Sequence, residues 1–135
     1  MKEKLQKCIY MEKYLSYLYR KAASLSPMCD ERDVLLNFAK GDAKAQAELN
    51  KYFYELYQEF YDPFIAEIQI HGTFRDVLNH ILQLEIESYL DCRRLTYGQS
   101  HYLLQETMRA IADMKLGHNA TILAIIEDMN ETNRP

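Results

Sequence analysis

Apolar residues recur every three or four positions along four long stretches of the chain, and no strand-like alternation competes with them. The first stretch runs from about Lys2 to Leu25, with Leu5, Cys8, Glu12, Leu15, Tyr19 and Ala22 on one seam. Ser26-Pro27 ends it, because proline disfavours helix in the residue before it. A second stretch begins near the cap candidate Asp30 and reaches about Tyr61, where Asp62-Pro63 stops or kinks it. Its seam reads Leu36, Ala39, Ala43, Gln46, Asn50, Phe53, Tyr57 and Phe60. The third spans about Thr73, another cap candidate, to Thr96, with Phe74, Leu78, Ile81, Glu85, Ser88, Cys92 and Leu95 in line, and Gly98 halts it. The fourth starts near Ser100 and extends to about Asn130 along Leu104, Met108, Ile111, Lys115, His118, Ile122, Ile125 and Met129.

The breakers also set the topology. Turns at 26–29 and 97–99 are short, so the first and second helices, and the third and fourth, should be antiparallel neighbours. Segment 62–72 is longer and carries Phe64, Ile65, Ile68 and Ile70, enough to climb the side of a bundle as a single crossover. The expectation is one all-α domain over residues 1–135: an antiparallel four-helix bundle of two hairpins, about 2–61 and 73–130, with one long crossover between helices two and three.

The two halves nearly repeat. Residues 12–21, EKYLSYLYRK, return in outline at 85–94 as EIESYLDCRR, each opening on Glu with two basic residues eight and nine places later. Pseudo-twofold symmetry would bring Glu12 and Glu85 together at the centre. Each helix in fact places a polar or unexpected residue on its stripe at one height: Glu12; Ala43 with Gln46; Glu85; Lys115 with His118. A carboxylate inside an apolar stripe costs free energy unless it is paired or bound to a cation.

Composition narrows the classes. Acidic and basic residues are interspersed at a net charge of −4, leaving no basic face for nucleic acid and no polybasic membrane tether. No apolar run approaches the ~20 residues of a membrane span, and the first residues have no signal-peptide pattern. Three cysteines at wide spacing (Cys8, Cys29, Cys92) favour reduced thiols and a cytoplasmic location, with Cys29 in a turn as the reactive one. Four glycines and the lack of a nucleophile elbow or phosphate loop argue against a loop-built active site.

The seam pattern resembles the ferritin-like superfamily, and within it the rubrerythrin-like di-iron bundles. Those use one Glu from each of two helices and a Glu-x-x-His motif from each of the other two. The resemblance covers nearly the whole chain and implies that Glu12 and Glu85 occupy the single-Glu positions. The fourth-helix motif falls on Lys115-Leu116-Gly117-His118, where the imidazole survives and a cation replaces the carboxylate. The second-helix motif falls on Ala43-Lys44-Ala45-Gln46, where both ligands are missing. Asp42, one position earlier, is turned about 100° from the ligand direction in this register.

Without two cations, Glu12 and Glu85 would repel each other in a low-dielectric core and one would take up a proton. Lys115 supplies a fixed positive charge at that height, unless its stem carries it out to solvent. The favoured reading is therefore a non-enzymatic binding or assembly protein with a degenerate di-iron site, a Glu12–Lys115–Glu85 polar core and no favoured cofactor. The alternative is a metal-dependent oxidoreductase, or metal-binding protein, holding Fe, Mn or Zn through Glu12, Glu85 and His118. On the outward faces, Tyr10, Tyr14, Tyr17, Phe38 and Tyr52 form an aromatic patch that suggests a homodimer.

Overall fold

The computed structural model describes residues 1–66, 72–98 and 101–135. It contains four helices: α1 (Lys2–Leu25), α2 (Cys29–Tyr57), α3 (Phe74–Gly98) and α4 (Tyr102–Glu131). Local chemistry sets their ends. Thr73 opens α3 with a capping box: its Oγ1 accepts from Asp76 N at 3.2 Å, and its own N–H donates to Asp76 Oδ2 at 2.9 Å. His101 caps α4, its Nδ1 accepting from Leu104 N at 3.1 Å. Ile68, Ile70 and His71, and the helix start expected at Ser100, lie outside the described residues.

α2 ends four residues earlier than its apolar pattern suggests. Gln58 turns left-handed (φ 54°) and its N–H bonds Tyr54 O at 2.8 Å. The chain then folds back, so that Asn50 holds Tyr61 by both backbone groups, at 2.9 and 3.0 Å. A C-cap in the left-handed region ends the helix before Asp62-Pro63 is reached.

The helices pack α1 on α2, α3 on α4, α1 on α3 and α2 on α4, leaving α1/α4 and α2/α3 on the diagonals. Two apolar layers fix their directions. One joins Leu15–Ala23 of α1 with Leu35 and Ala39 of α2, Phe74–Ile81 of α3 and Ile122–Met129 of α4. The other joins Leu5–Ile9, Ala45–Phe53, Cys92 and Leu104–Ala112. Each neighbouring pair is thus antiparallel, and the chain from Tyr57 to Phe74 has to travel the length of the bundle. That is an up-down-down-up arrangement with a single crossover. Lys13 ties this crossover to the middle of α1, with Nζ 2.7 Å from both Asp62 Oδ1 and the Pro63 carbonyl.

Between the two apolar layers lies a polar one. Glu12, Asp42, Glu85, Lys115 and His118 each fall between the stretches that their helix gives to the layers on either side.

Candidate metal centre

Every helix contributes to the polar layer, and each contribution is buried: Glu12, Asp42, Glu85 and Lys115 are 0% exposed and His118 5%. Lys115 Nζ lies 2.5 Å from Glu12 Oε1 and 3.6 Å from Glu85 Oε1, so one ammonium pairs with both carboxylates. The other oxygen of Glu85 faces the opposite way, 3.2 Å from His118 Nδ1. His118 Nδ1 is also 3.8 Å from Asp42 Oδ1. Glu85 therefore bridges two environments, an ammonium on one side and an Asp–His pair on the other.

Tyr19 and Phe38 hold the imidazole in place. Phe38 stacks on His118 with ring centroids 4.0 Å apart and planes 23° from parallel, while Tyr19 packs edge-on at 5.4 Å. The Tyr19 hydroxyl is buried against Glu85. Burial, then the nearby carboxylates of Glu85, Asp42 and Glu12, push its pKa far up, so it stays a neutral phenol.

Charge does not balance among these side chains alone. Burial raises the Asp42 carboxyl well above its usual range, and repulsion from Glu12 and Glu85 adds to the rise, against a smaller pull from Lys115. Burial also raises Glu12, partly offset by Lys115 and reinforced by Glu85. For Lys115, burial works toward loss of the proton, but Glu12, Glu85 and Asp42 more than reverse it and keep the ammonium charged. As ionised groups, both Asp42 oxygens and Glu12 Oε2 have no hydrogen-bond donor among the described residues, and Glu12 Oε1 and Glu85 Oε1 have only the Lys115 ammonium beside them. The Asp42 and Glu12 carboxyls stand close enough to share a proton. Such a set demands either added protons or a cation.

One oxygen each from Asp42 and Glu85 and one imidazole nitrogen of His118 lie within 4.8 Å of one another, a buried group that could hold a metal ion. Two hard carboxylates with an imidazole suit Mn, Fe or Zn. The fit is supported by Asp42, a fully buried carboxylate in this group whose two oxygens have no hydrogen-bond donor among the described residues.

The expected site residues are thus placed unequally. Glu12, Glu85, Lys115 and His118 come together. Ala43 and Gln46 are half-buried and take no part; Asp42 stands in the place expected of them. The buried stripe of α2 is Leu35, Ala39, Asp42, Ala45, Leu49 and Phe53, whereas Leu36 is 39% exposed and Phe60 71%. The two possible stripes share Ala39 and Phe53 and otherwise differ by one residue, which corrects the α2 register by about 100°. The group that could hold a metal is correspondingly Asp42, Glu85 and His118, with Glu12 given over to Lys115.

Of the aromatic patch, Tyr17 is exposed and Tyr10 half-buried, stacked on Tyr14 at 6.0 Å. Tyr14 turns to α3, its hydroxyl 3.4 Å from His80 Nε2. Phe38, expected on the outward face, instead turns in to His118. Tyr52 accepts a hydrogen bond from Thr107 of α4 at 3.1 Å. Cys8 and Cys92 are buried and Cys29 is exposed, none of them in a disulfide.

The molecule is therefore an all-α four-helix bundle with a buried Asp–Glu–His group at its centre and, among the described residues, no helix long and apolar enough to cross a membrane. A solved structure with the same fold is a hypothetical protein from Pyrococcus furiosus: TM-score 0.79 at 19% identity, covering 93% of this chain and 87% of that one. No protein-family model matches the chain, and no curated protein does.

Proposed function

We propose that the protein is a metal-binding bundle on the ferritin-like plan, holding one divalent cation between Asp42, Glu85 and His118. The observation that carries this reading is the charge of the buried layer. Three carboxylates bring three negative charges, Lys115 returns one, and a single divalent ion cancels the remaining two. With that ion the layer is neutral and the Asp42 carboxylate acquires a partner; without it, two protons have to be taken up in the core. An iron or manganese ion would supply one-electron redox chemistry, which is where an oxidoreductase activity would reside. The chain's own residues position it: Phe38 and Tyr19 fix the imidazole, and the apolar layers above and below exclude water.

The second reading, a metal-free polar core with a binding or assembly role, is favoured by the upward shifts of Glu12 and Asp42, because protons could do the neutralising instead. Metal analysis of protein purified without chelator separates the two. About one Fe, Mn or Zn per chain, lost in Asp42→Asn, supports the metal reading; a folded protein that takes up none of them at millimolar concentration rejects it. The free cysteines suit a cytoplasmic location. A homodimer would use Tyr10 and Tyr17 on α1, and sedimentation equilibrium of Tyr17→Glu against the parent tests it.

A further inference from the structure

We infer that Lys115 determines how many metal ions the bundle holds: its ammonium occupies the position of a second cation and limits the centre to one. This rests on the one-ion reading above and extends it to the residue that sets the limit.

The geometry divides the layer into two cation positions sharing Glu85. On one side, Glu85 Oε2, His118 Nδ1 and Asp42 Oδ1 gather. On the other, Glu85 Oε1 and Glu12 Oε1 converge on a point that Lys115 Nζ already fills, at 3.6 and 2.5 Å. A carboxylate bridging two cations is the arrangement that two-metal centres use, with their ions about 3.5–4 Å apart. Here one of the two cations is covalently part of the chain. It cannot leave: Lys115 is fully buried, with its ammonium set between Glu12 and Glu85.

The accounting of charge gives the same number independently. With Lys115 in place, one divalent ion makes the layer neutral, and a second would leave two uncompensated positive charges in a core with no counter-ion. Lys115→Glu changes the sum by two: four carboxylates then balance two divalent ions. The new carboxylate would sit with Glu12 and Glu85 around the vacated position, while Asp42, Glu85 and His118 stay as they are. Lys115→Met keeps the aliphatic stem and removes only the charge, leaving Glu12 and Glu85 to hold a second ion weakly.

Mn2+ is the probe, read by equilibrium dialysis and by electron paramagnetic resonance, which distinguishes an isolated Mn2+ from an exchange-coupled pair. The parent protein should bind one Mn2+ per chain with an isolated-ion spectrum. Lys115→Glu should bind two with a coupled spectrum, and Lys115→Met should reach a second ion only at about tenfold or greater excess Mn2+. If Lys115→Glu does not fold, Lys115→Met decides alone. Folded variants that stop at one ion overturn the role given to Lys115, as does a parent that binds a coupled pair. A parent that binds none beside a Lys115→Glu that binds two would reject the one-ion reading while upholding exclusion by lysine.

Discussion

Asparagine in place of Asp42 keeps the shape of the side chain and removes its charge. If Asp42 is a ligand, Asp42→Asn should weaken metal affinity by about 100-fold or more, since even changes one shell further out commonly cost 10- to 100-fold. Gln46→Ala, one turn along the same helix but half-buried and outside the cluster, should leave affinity within about twofold. Competition against a metal-sensitive dye measures both, and equal losses would mean that the α2 register is wrong. A second expectation concerns the ion pair. In metal-free protein, Lys115→Met strands Glu12 and Glu85 in the core and should cost on the order of 3–5 kcal/mol in urea unfolding. Glu12→Gln in the same background should recover part of that, a non-additivity that a double-mutant cycle reads directly. Glu12, Glu85, Lys115 and His118 were legible from the chain because each interrupts an otherwise apolar stripe. Asp42 was not, because α2 also has polar residues at neighbouring positions, and Ala39 and Phe53 belong to either of two stripes one residue apart. Only packing against three other helices chooses between those stripes. Phe38 was misdirected for the same reason: once the stripe moves to Asp42, Phe38 turns toward His118.

Helices and breakers were easier to read than facing. Ser26-Pro27, Thr73 and Gly98 each mark a boundary by a local mechanism that needs no partner: restriction before proline, a capping box, loss of the side chain. The end of α2 escaped because a left-handed Gln58 and the Asn50–Tyr61 bonds stop it, and neither residue type announces this. The crossover raises its own test. Lys13 is its tether to α1, and its two acceptors include an exposed carboxylate and a backbone carbonyl. Lys13→Met should therefore change global stability by no more than about 1 kcal/mol. It should still speed cleavage of the crossover in limited proteolysis, since local opening follows local contacts. An unchanged cleavage rate would show that the apolar residues of the segment hold it instead. At the same scale, Cys29 at the exposed start of α2 should react with a thiol reagent in native protein, with Cys8 and Cys92 responding only after unfolding. Peptide mapping of alkylated protein decides that, and early labelling at Cys92 would mean that the apolar layer it shares with Cys8 opens readily.

Across the whole molecule, the polar layer is flanked by two apolar ones, and that arrangement would let the bundle fold whether or not a metal fills its centre. Metal-dependent small domains unfold on chelation because the ion supplies most of their folding energy. Here Leu15, Leu18, Tyr19, Leu78, Ile81 and Ile122 on one side, and Leu5, Ile9, Leu49, Phe53 and Leu104 on the other, are fully or almost fully buried against one another, apart from any metal ligand. Chelated protein should therefore remain helical and melt cooperatively. Restoring the metal should then raise Tm by linkage: free ion at 100 times its Kd adds about 2.7 kcal/mol. For a chain of this size that is about 8–14 °C, at about 3–5 °C per kcal/mol. The rise should continue logarithmically with Mn2+ and vanish in Asp42→Asn, because the stabilisation comes from neutralising the buried layer and not from ions on the surface. Far-ultraviolet circular dichroism melts over a Mn2+ series test this. A Tm indifferent to Mn2+ into the millimolar range would leave protons as the agents that neutralise Glu12 and Asp42. A chelated protein without helix would instead mean that the apolar layers cannot close over an unfilled centre.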